Sequence, residues 1–169
     1  MFFGIELKNI NKNKIIFSES VKNNIIDNNY FYKLNYSNEF IVFNNLYIVF
    51  ELYNYKIIND RIFFEKDINN ENVEELIKLE YYLLNNLKIN KKKIFRLKEV
   101  LENNNIKIFY NNTILNNNYI HNLLLNKQLF QKKNIILKIS GCWESNEYIG
   151  LTFKFILFNN VYNFYPSVE

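Results

Sequence analysis

Alanine is missing from this chain of 169 residues; there are three glycines, and one each of cysteine, proline, histidine, tryptophan and methionine. Each shortage excludes something. A single cysteine, Cys142, permits no internal disulfide and no CxxC or Cys/His metal cluster, so a reducing compartment is the default. Gly4, Gly141 and Gly150 are too few and too dispersed for a P-loop or a dinucleotide-binding loop, which need clustered glycines to approach phosphates. There is no Pro-, Ser- or Gly-rich linker, so one domain over residues 1–169 is expected. The opening MFFGIELKNINK lacks a basic region followed by a sustained apolar run, so it does not read as a signal peptide. No uncharged apolar run approaches the ~18 residues of a membrane helix. A cytoplasmic protein without a membrane partner follows as the expectation.

The catalytic inventory is equally thin. His121, in NYIHNLLL, is the only imidazole, and no nucleophile signature links it to Cys142. The aspartates Asp27, Asp60 and Asp67 show no DxD spacing. Adjacent Glu74 and Glu75 point apart on a helix and share no acid/base site. The expectation is therefore no enzyme, no catalytic residues, no metal and no cofactor.

What is abundant is asparagine, about a fifth of the chain, with Ile, Lys, Leu, Tyr and Phe. Codons rich in A and T encode most of these, which points to an AT-rich genome and gives Asn itself no functional meaning. The same bias makes lysine cheap to encode, so the net charge of +4 is only a mild pointer to an anionic partner. A hydrophobic fraction of 49% and an aromatic fraction of 18% are those of a folded domain. Residues 1–70 balance eight basic against eight acidic side chains, whereas residues 104–169 hold six against three.

Hydrophobic period divides the chain into three parts. Residues 1–66 alternate as strands: Phe3, Ile5 and Leu7 against Gly4, Glu6 and Lys8, then KIIFSES, NYFYKLNYS and NDRIFFEKD. EFIVF and LYIVF flank Asn44-Asn45 and predict a hairpin, with LYIVFELYNYKII as one long run. Residues 70–103 switch to helical spacing. NVEELIKLEYYLLNNL places Val73, Leu76, Ile77, Leu84 and Leu87 on one face, with Glu71, Glu74 and Glu75 in the first turn. KKKIFRLKEVLENNN predicts a second helix with Ile94, Leu97 and Leu101 inward, its basic residues unfavourably early for the dipole. IKIFY reads as a strand and TILNNNYIHNLLLNKQLF as an irregular helix or loop. Residues 133–165 return to strands, with NIILKISGCWE and YIGLTFKFILF joined at Ser145, Asn146 and Glu147, and VYNFY completing a meander after Asn159-Asn160. The pattern predicts an α+β fold: an antiparallel, β-rich, OB-like barrel with a helical insertion around 70–103.

Strand parity gives the candidate site. Ile135, Leu137 and Ile139 face one way, Lys138 and Ser140 the other. Ile149, Leu151, Phe153 and Phe155 oppose Tyr148, Gly150, Thr152 and Lys154. Gly141 marks a bulge or bend, and Trp143 reads as a core anchor more readily than as a stacking ring. Further forward, Phe31 and Lys33 oppose Tyr30, Tyr32 and Tyr36, and Tyr53 and Tyr55 continue the outer face of the preceding run. Exposed aromatics beside lysines on a β surface suit single-stranded nucleic acid, because bases stack on rings while cations follow the backbone. The candidate binding residues are Phe31, Lys33, Tyr53, Tyr55, Lys138, Tyr148, Thr152 and Lys154, with Lys91, Lys92, Lys93, Arg96 and Lys98 as a basic cluster. That cluster reads either as a solvated helix entrance or as a phosphate-contacting patch.

The segment KISGCWESNEYIGLTFKF, residues 138–155, holds the only Trp, the only Cys and two of the three glycines. With the residues just before it, its pattern of LKI, a small residue, G-x-W-E and G-L-T-F-K-F resembles the C-terminal part of single-stranded-DNA-binding proteins. These come from nucleocytoplasmic large DNA viruses and related linear-plasmid replication systems. The resemblance spans residues 135–158; the acidic tail of that family has no match in the closing FYPSVE. It implies an OB-like barrel with an inserted helix that coats single-stranded DNA during replication, and it leaves a homo-oligomer open. The alternative is a structural or protein-interaction module, such as a virion or assembly component, that binds no nucleic acid.

Overall fold

The computed structural model describes residues 4–22, 29–37, 40–110 and 132–157. It is an α+β fold in which eleven strands form one sheet and two helices pack on one of its faces. The strands are β1 (Ile5–Glu6), β2 (Ile15–Lys22), β3 (Tyr30–Ser37), β4 (Val42–Asn44), β5 (Leu46–Leu52), β6 (Tyr55–Ile58), β7 (Arg61–Phe64), β8 (Lys92–Ile94), β9 (Asn105–Tyr110), β10 (Lys133–Glu144) and β11 (Tyr148–Leu157). The helices are α1 (Lys66–Asn86) and α2 (Arg96–Glu102). The main path through the sheet is β1-β5-β10-β11-β9-β7-β6, and its two ends do not meet among the described residues. The sheet is therefore open where a closed barrel was expected. Closure needs a continuous pairing all the way round, and β1 and β6 are left as edges.

The β10–β11 hairpin is the spine. Its partners run from Ile135↔Leu157 to Glu144↔Ile149, joined through Ser145, Asn146 and Glu147 as the sequence predicts. The register slips between Ile139 and Gly141, so Ser140 is the extra residue of a β-bulge. The other edge of β10 changes partner at that bulge, from β5 (ending at Ile139↔Leu46) to β3 (beginning at Gly141↔Lys33). Gly141 has a φ of 155°, and a methyl group there would lie 2.1 Å from the Tyr32 carbonyl oxygen. Only glycine fits so close a passage. Beyond the bulge the inward set moves from Ile135, Leu137 and Ile139 to Cys142, all fully buried.

Several sequence expectations need correcting. EFIVF and LYIVF do not pair with each other: β4 pairs with β3, while β5 uses its two edges for β1 and β10. Asn45, at φ 73°, turns the chain between them. The long run after it breaks at Asn54 (φ 49°), so β6 pairs with β7 as a separate hairpin. Among the described residues the opening strand covers Ile5–Glu6, and Leu7, expected in it, falls in a 3-10 turn at Leu7–Asn9; Phe3 lies outside the described residues. Helix α1 starts at Lys66, so Asp67 is its first-turn acid and Glu71, Glu74 and Glu75 lie further along. Lys92 and Lys93 belong to strand β8, which pairs with β11, and α2 begins only at Arg96; the dipole conflict is therefore reduced to Arg96 and Lys98, with Glu99 in the same turn. The segments TILNNNYIHNLLLNKQLF and VYNFY lie outside the described residues.

Helical period explains the inner layer. Val73, Leu76, Leu79, Leu83 and Leu84 of α1 and Leu97 and Leu101 of α2 are buried with the inward residues of β5, β9, β10 and β11. Two buried polar residues tie the helices down, and both are satisfied as burial requires. Asn69 donates to the Tyr53 and Glu65 carbonyls and accepts from Tyr53 N–H. Glu80 accepts from the Leu97 and Lys98 amides at 2.9 and 2.7 Å, the donors at the start of α2 that lack partners within the helix.

Candidate functional site

The other face of the sheet carries no helix among the described residues. Period-2 alternation puts every second side chain of its strands there. Following the register across the sheet gives one row: Tyr47↔Lys138↔Lys154, then Lys107↔Arg61↔Ile58. Lys107 falls beside Lys154 because β9 and β11 run parallel with Phe155↔Ile108 in register. Four cations on adjacent strands, at ~4.8 Å per strand, thus span about 14 Å.

Only one of the four has an acidic partner among the described residues: Lys107 Nζ lies 3.2 Å from Asp60. Arg61 donates to Asn105 at 3.2 Å. Lys138 and Lys154 sit directly opposite each other, an arrangement that costs the sheet some stability. Each instead lies near a ring, Lys138 at 5.5 Å from the Tyr47 centroid and Lys154 at 5.9 Å from Phe109. Lys107 approaches Phe109 as well, at 5.8 Å, and that ring is 46% exposed. Cation–π contacts of this kind hold the ammonium groups in place without neutralising them.

Toward the hairpin turn the same face becomes aromatic. Lys33 is registered with Gly141, and Gly141 with Thr152; one step on, Phe31, Trp143 and Gly150 follow. Tyr148 completes the row of outer residues on β11, with Lys92 Nζ 6.0 Å from its ring. Trp143 is half-buried and stands outside the core cluster, which corrects its reading as a core anchor. The bulge is the reason. By shifting parity one residue, it turns Cys142 inward and Trp143 outward.

The structure therefore brings together Phe31, Lys33, Lys92, Lys138, Tyr148, Thr152 and Lys154. The remaining sequence candidates lie elsewhere. Tyr55 is on β6 and packs half-buried against the core, where burial raises its pKa. Tyr53 lies beyond the end of β5 and donates to Glu51, a bond that raises the phenol's pKa. The basic cluster disperses into internal pairs. Lys91 bridges the buried Glu144 carboxylate and donates to the Ser145 carbonyl at 2.6 Å. Lys93 donates to Asn85, Arg96 pairs with Glu99 at 3.0 Å, and Lys98 bonds Tyr81 at 3.3 Å beside Glu102.

Sequence reasoning weighed Trp143 as a stacking ring but preferred it as a core anchor, and it missed Tyr47, Lys107, Phe109 and Arg61. The alternation in IKIFY places Lys107 and Phe109 on one face, and that signal was readable; the coupling of Arg61 to them was not.

Two further groups bear on the chemistry. Burial, and then the nearby Glu80 charge, push the Cys142 thiol up to about 12, so it is no nucleophile at neutral pH. His121 lies outside the described residues. Burial pushes Glu144 up, but the hydrogen-bonded Lys91 ammonium and Tyr32 hydroxyl (2.6 Å) outweigh it and hold the carboxyl below its ordinary range. No group of three His, Cys, Asp or Glu among the described residues is arranged to hold a metal ion. Among them also, no helix is long and apolar enough to cross a membrane.

The arrangement is that of an α+β protein with one face packed by helices and the other an open sheet of cations and rings. No family model matches the chain, and no curated protein or solved structure matches it either.

Proposed function

We propose that this protein binds single-stranded nucleic acid on the open sheet face, as a non-enzymatic coat on DNA during replication. The row Lys138, Lys154, Lys107 and Arg61 carries the reading. Cations held side by side, with one acid among them, are stabilised by an anionic polymer laid across the strands. The rings on the same face require bases that are free to stack, which favours single strands over duplex. The resemblance of residues 135–158 to viral and linear-plasmid single-stranded-DNA-binding proteins agrees with this. An OB-like barrel would offer such a surface on its wall, and the open face offers it directly. Copies would lie side by side on a long strand, which is the sense in which a homo-oligomer belongs to the proposal.

Fluorescence anisotropy of labelled oligo-dT and of a matching duplex, across a salt series, tests it. Tighter binding of the single strand, weakening steeply with salt, is the expected result. Absence of affinity for oligo-dT at low salt refutes it. The exposed apolar residues Phe40, Ile41 and Val42 at edge strand β4 favour the second reading, a protein-interaction module. That reading predicts a salt-tolerant assembly in light scattering and no oligonucleotide binding.

A further inference from the structure

Phe31 and Trp143 are partners across the β3–β10 pair, and each ring lies against a glycine of the neighbouring strand. A methyl group on Gly150 would sit 2.7 Å from Trp143 Cζ2, and one on Gly141 would sit 2.8 Å from Phe31 Cζ. A methyl group on Gly150 would prop the indole away from the sheet, whereas one on Gly141 would meet the Tyr32 carbonyl oxygen first, at 2.1 Å, and then the Phe31 ring. Glycine within a strand is unfavourable relative to alanine, and this hairpin carries two, each beside an aromatic ring. Both rings are half-buried, and neither belongs to the core cluster. Trp143 meets the Gly150 position with Cζ2, Cε2 and Nε1, and Phe31 meets the Gly141 position with Cζ, so each ring lies over backbone and is in part open to solvent. Among the described residues no third ring stacks on them, and the Trp143 indole N–H donates to none. Lys33 lies one register step away, and Lys92 sits with Tyr148 further along the same face.

Resting on the single-strand reading above, we propose that Phe31 and Trp143 form a two-ring platform on which two successive bases stack. Lys33 and Lys92 flank it and meet the adjoining phosphates. The two glycines build the platform by letting both rings lie flat, so that their free faces are presented together. Stacking on a ring reads the π-face that every base shares, so this subsite carries no sequence preference. The competing account is that the rings only shield exposed glycine backbone, a known way of stabilising such positions.

Trp143 is the chain's only tryptophan, so its intrinsic emission reports on this one position. Titration of the full-length protein with oligo-dT is expected to quench that emission, with the same midpoint as the anisotropy of labelled oligo-dT. Trp143→Ala and Phe31→Ala are each expected to weaken binding roughly five- to a hundredfold at every salt concentration, leaving the salt slope unchanged. Trp143→Phe retains a ring and is expected to recover most of the affinity; it also decides the matter if the alanine variant fails to fold. Salt-sensitive binding that leaves Trp143 emission unchanged overturns the platform, while the cation row keeps its role. Absence of binding at any salt concentration removes both.

Discussion

Glu80 supplies the most direct test of how this fold is held. The carboxylate is fully buried on α1 and caps a helix to which it does not belong: Oε1 accepts from Leu97 N–H and Oε2 from Lys98 N–H. Phe95, at the cap position of α2, contributes no side-chain bond of its own. In Glu80→Ala both amides lose their acceptor. The Leu97 donor is buried and costs about 1–3 kcal/mol unpaired; the Lys98 donor, partly accessible, costs nearer 1 kcal/mol. Together these cost about 2–4 kcal/mol, and relief from burying a carboxylate offsets part of that, so a net loss of about 1–3 kcal/mol is expected. For a domain of this size each kcal/mol lowers Tm by about 2–4 °C, so a Tm drop of roughly 2–12 °C follows. Glu80→Gln keeps one acceptor oxygen and should lose about half as much. Thermal and urea unfolding followed by circular dichroism measure both variants. Burial raises the Glu80 pKa despite the two backbone bonds, so folding favours its neutral form. Its contribution is complete below the ordinary value of 4.5 and declines as pH rises toward the raised folded value. The stability gap between the parent and Glu80→Gln should therefore narrow over that window. If Glu80→Ala melts within about 1 °C of the parent, the borrowed cap does not hold α2.

The other expectations are independent of this one. Lys138→Ala combined with Lys154→Ala should flatten the salt dependence of oligo-dT binding by about 1.4 in log–log slope, since each single-strand phosphate contact contributes ~0.7. Gly141→Ala forces a methyl group onto the Tyr32 carbonyl and should destabilise the fold by about 2 kcal/mol or more in urea titrations. Glu144, held below its ordinary value of 4.5, contributes stability above that value that is lost as pH falls through its folded pKa. Lys91→Met should therefore shift acid unfolding to higher pH and cost up to about 3 kcal/mol near neutrality. The Cys142 thiol should resist a thiol reagent in native protein at neutral pH and react once urea unfolds the chain.

Much of the site was readable because β-strand parity is a local property. Phe31, Lys33, Lys138, Thr152 and Lys154 share a face for the same reason their neighbours Leu34, Leu137, Leu151 and Phe155 are buried. Lys91, Lys93, Arg96 and Lys98 misled because charge density along a chain says nothing of ion pairing. Glu144 is far along the chain from the Lys91 that it engages, whereas Glu99 and Glu102 are i+3 and i+4 neighbours of Arg96 and Lys98. Tyr55 misled because Asn54 breaks the strand, and parity does not survive a break.

What the sequence determined by itself is the class of fold and, within each strand, which side faces the core. Period 2 and period 3.6 are imposed by backbone geometry over a few residues, and burial enforces them. Which strands adjoin was decided only by the tertiary structure. Pairing of β4 with β3, the handover of β10 from β5 to β3 at the bulge, and the unclosed ends of the sheet among the described residues all depend on competition for edges by residues far apart in the chain. The orientation of Trp143 belongs with these. A single inserted residue, Ser140, reversed its face, and the glycine on which it rests is seven positions away on the next strand.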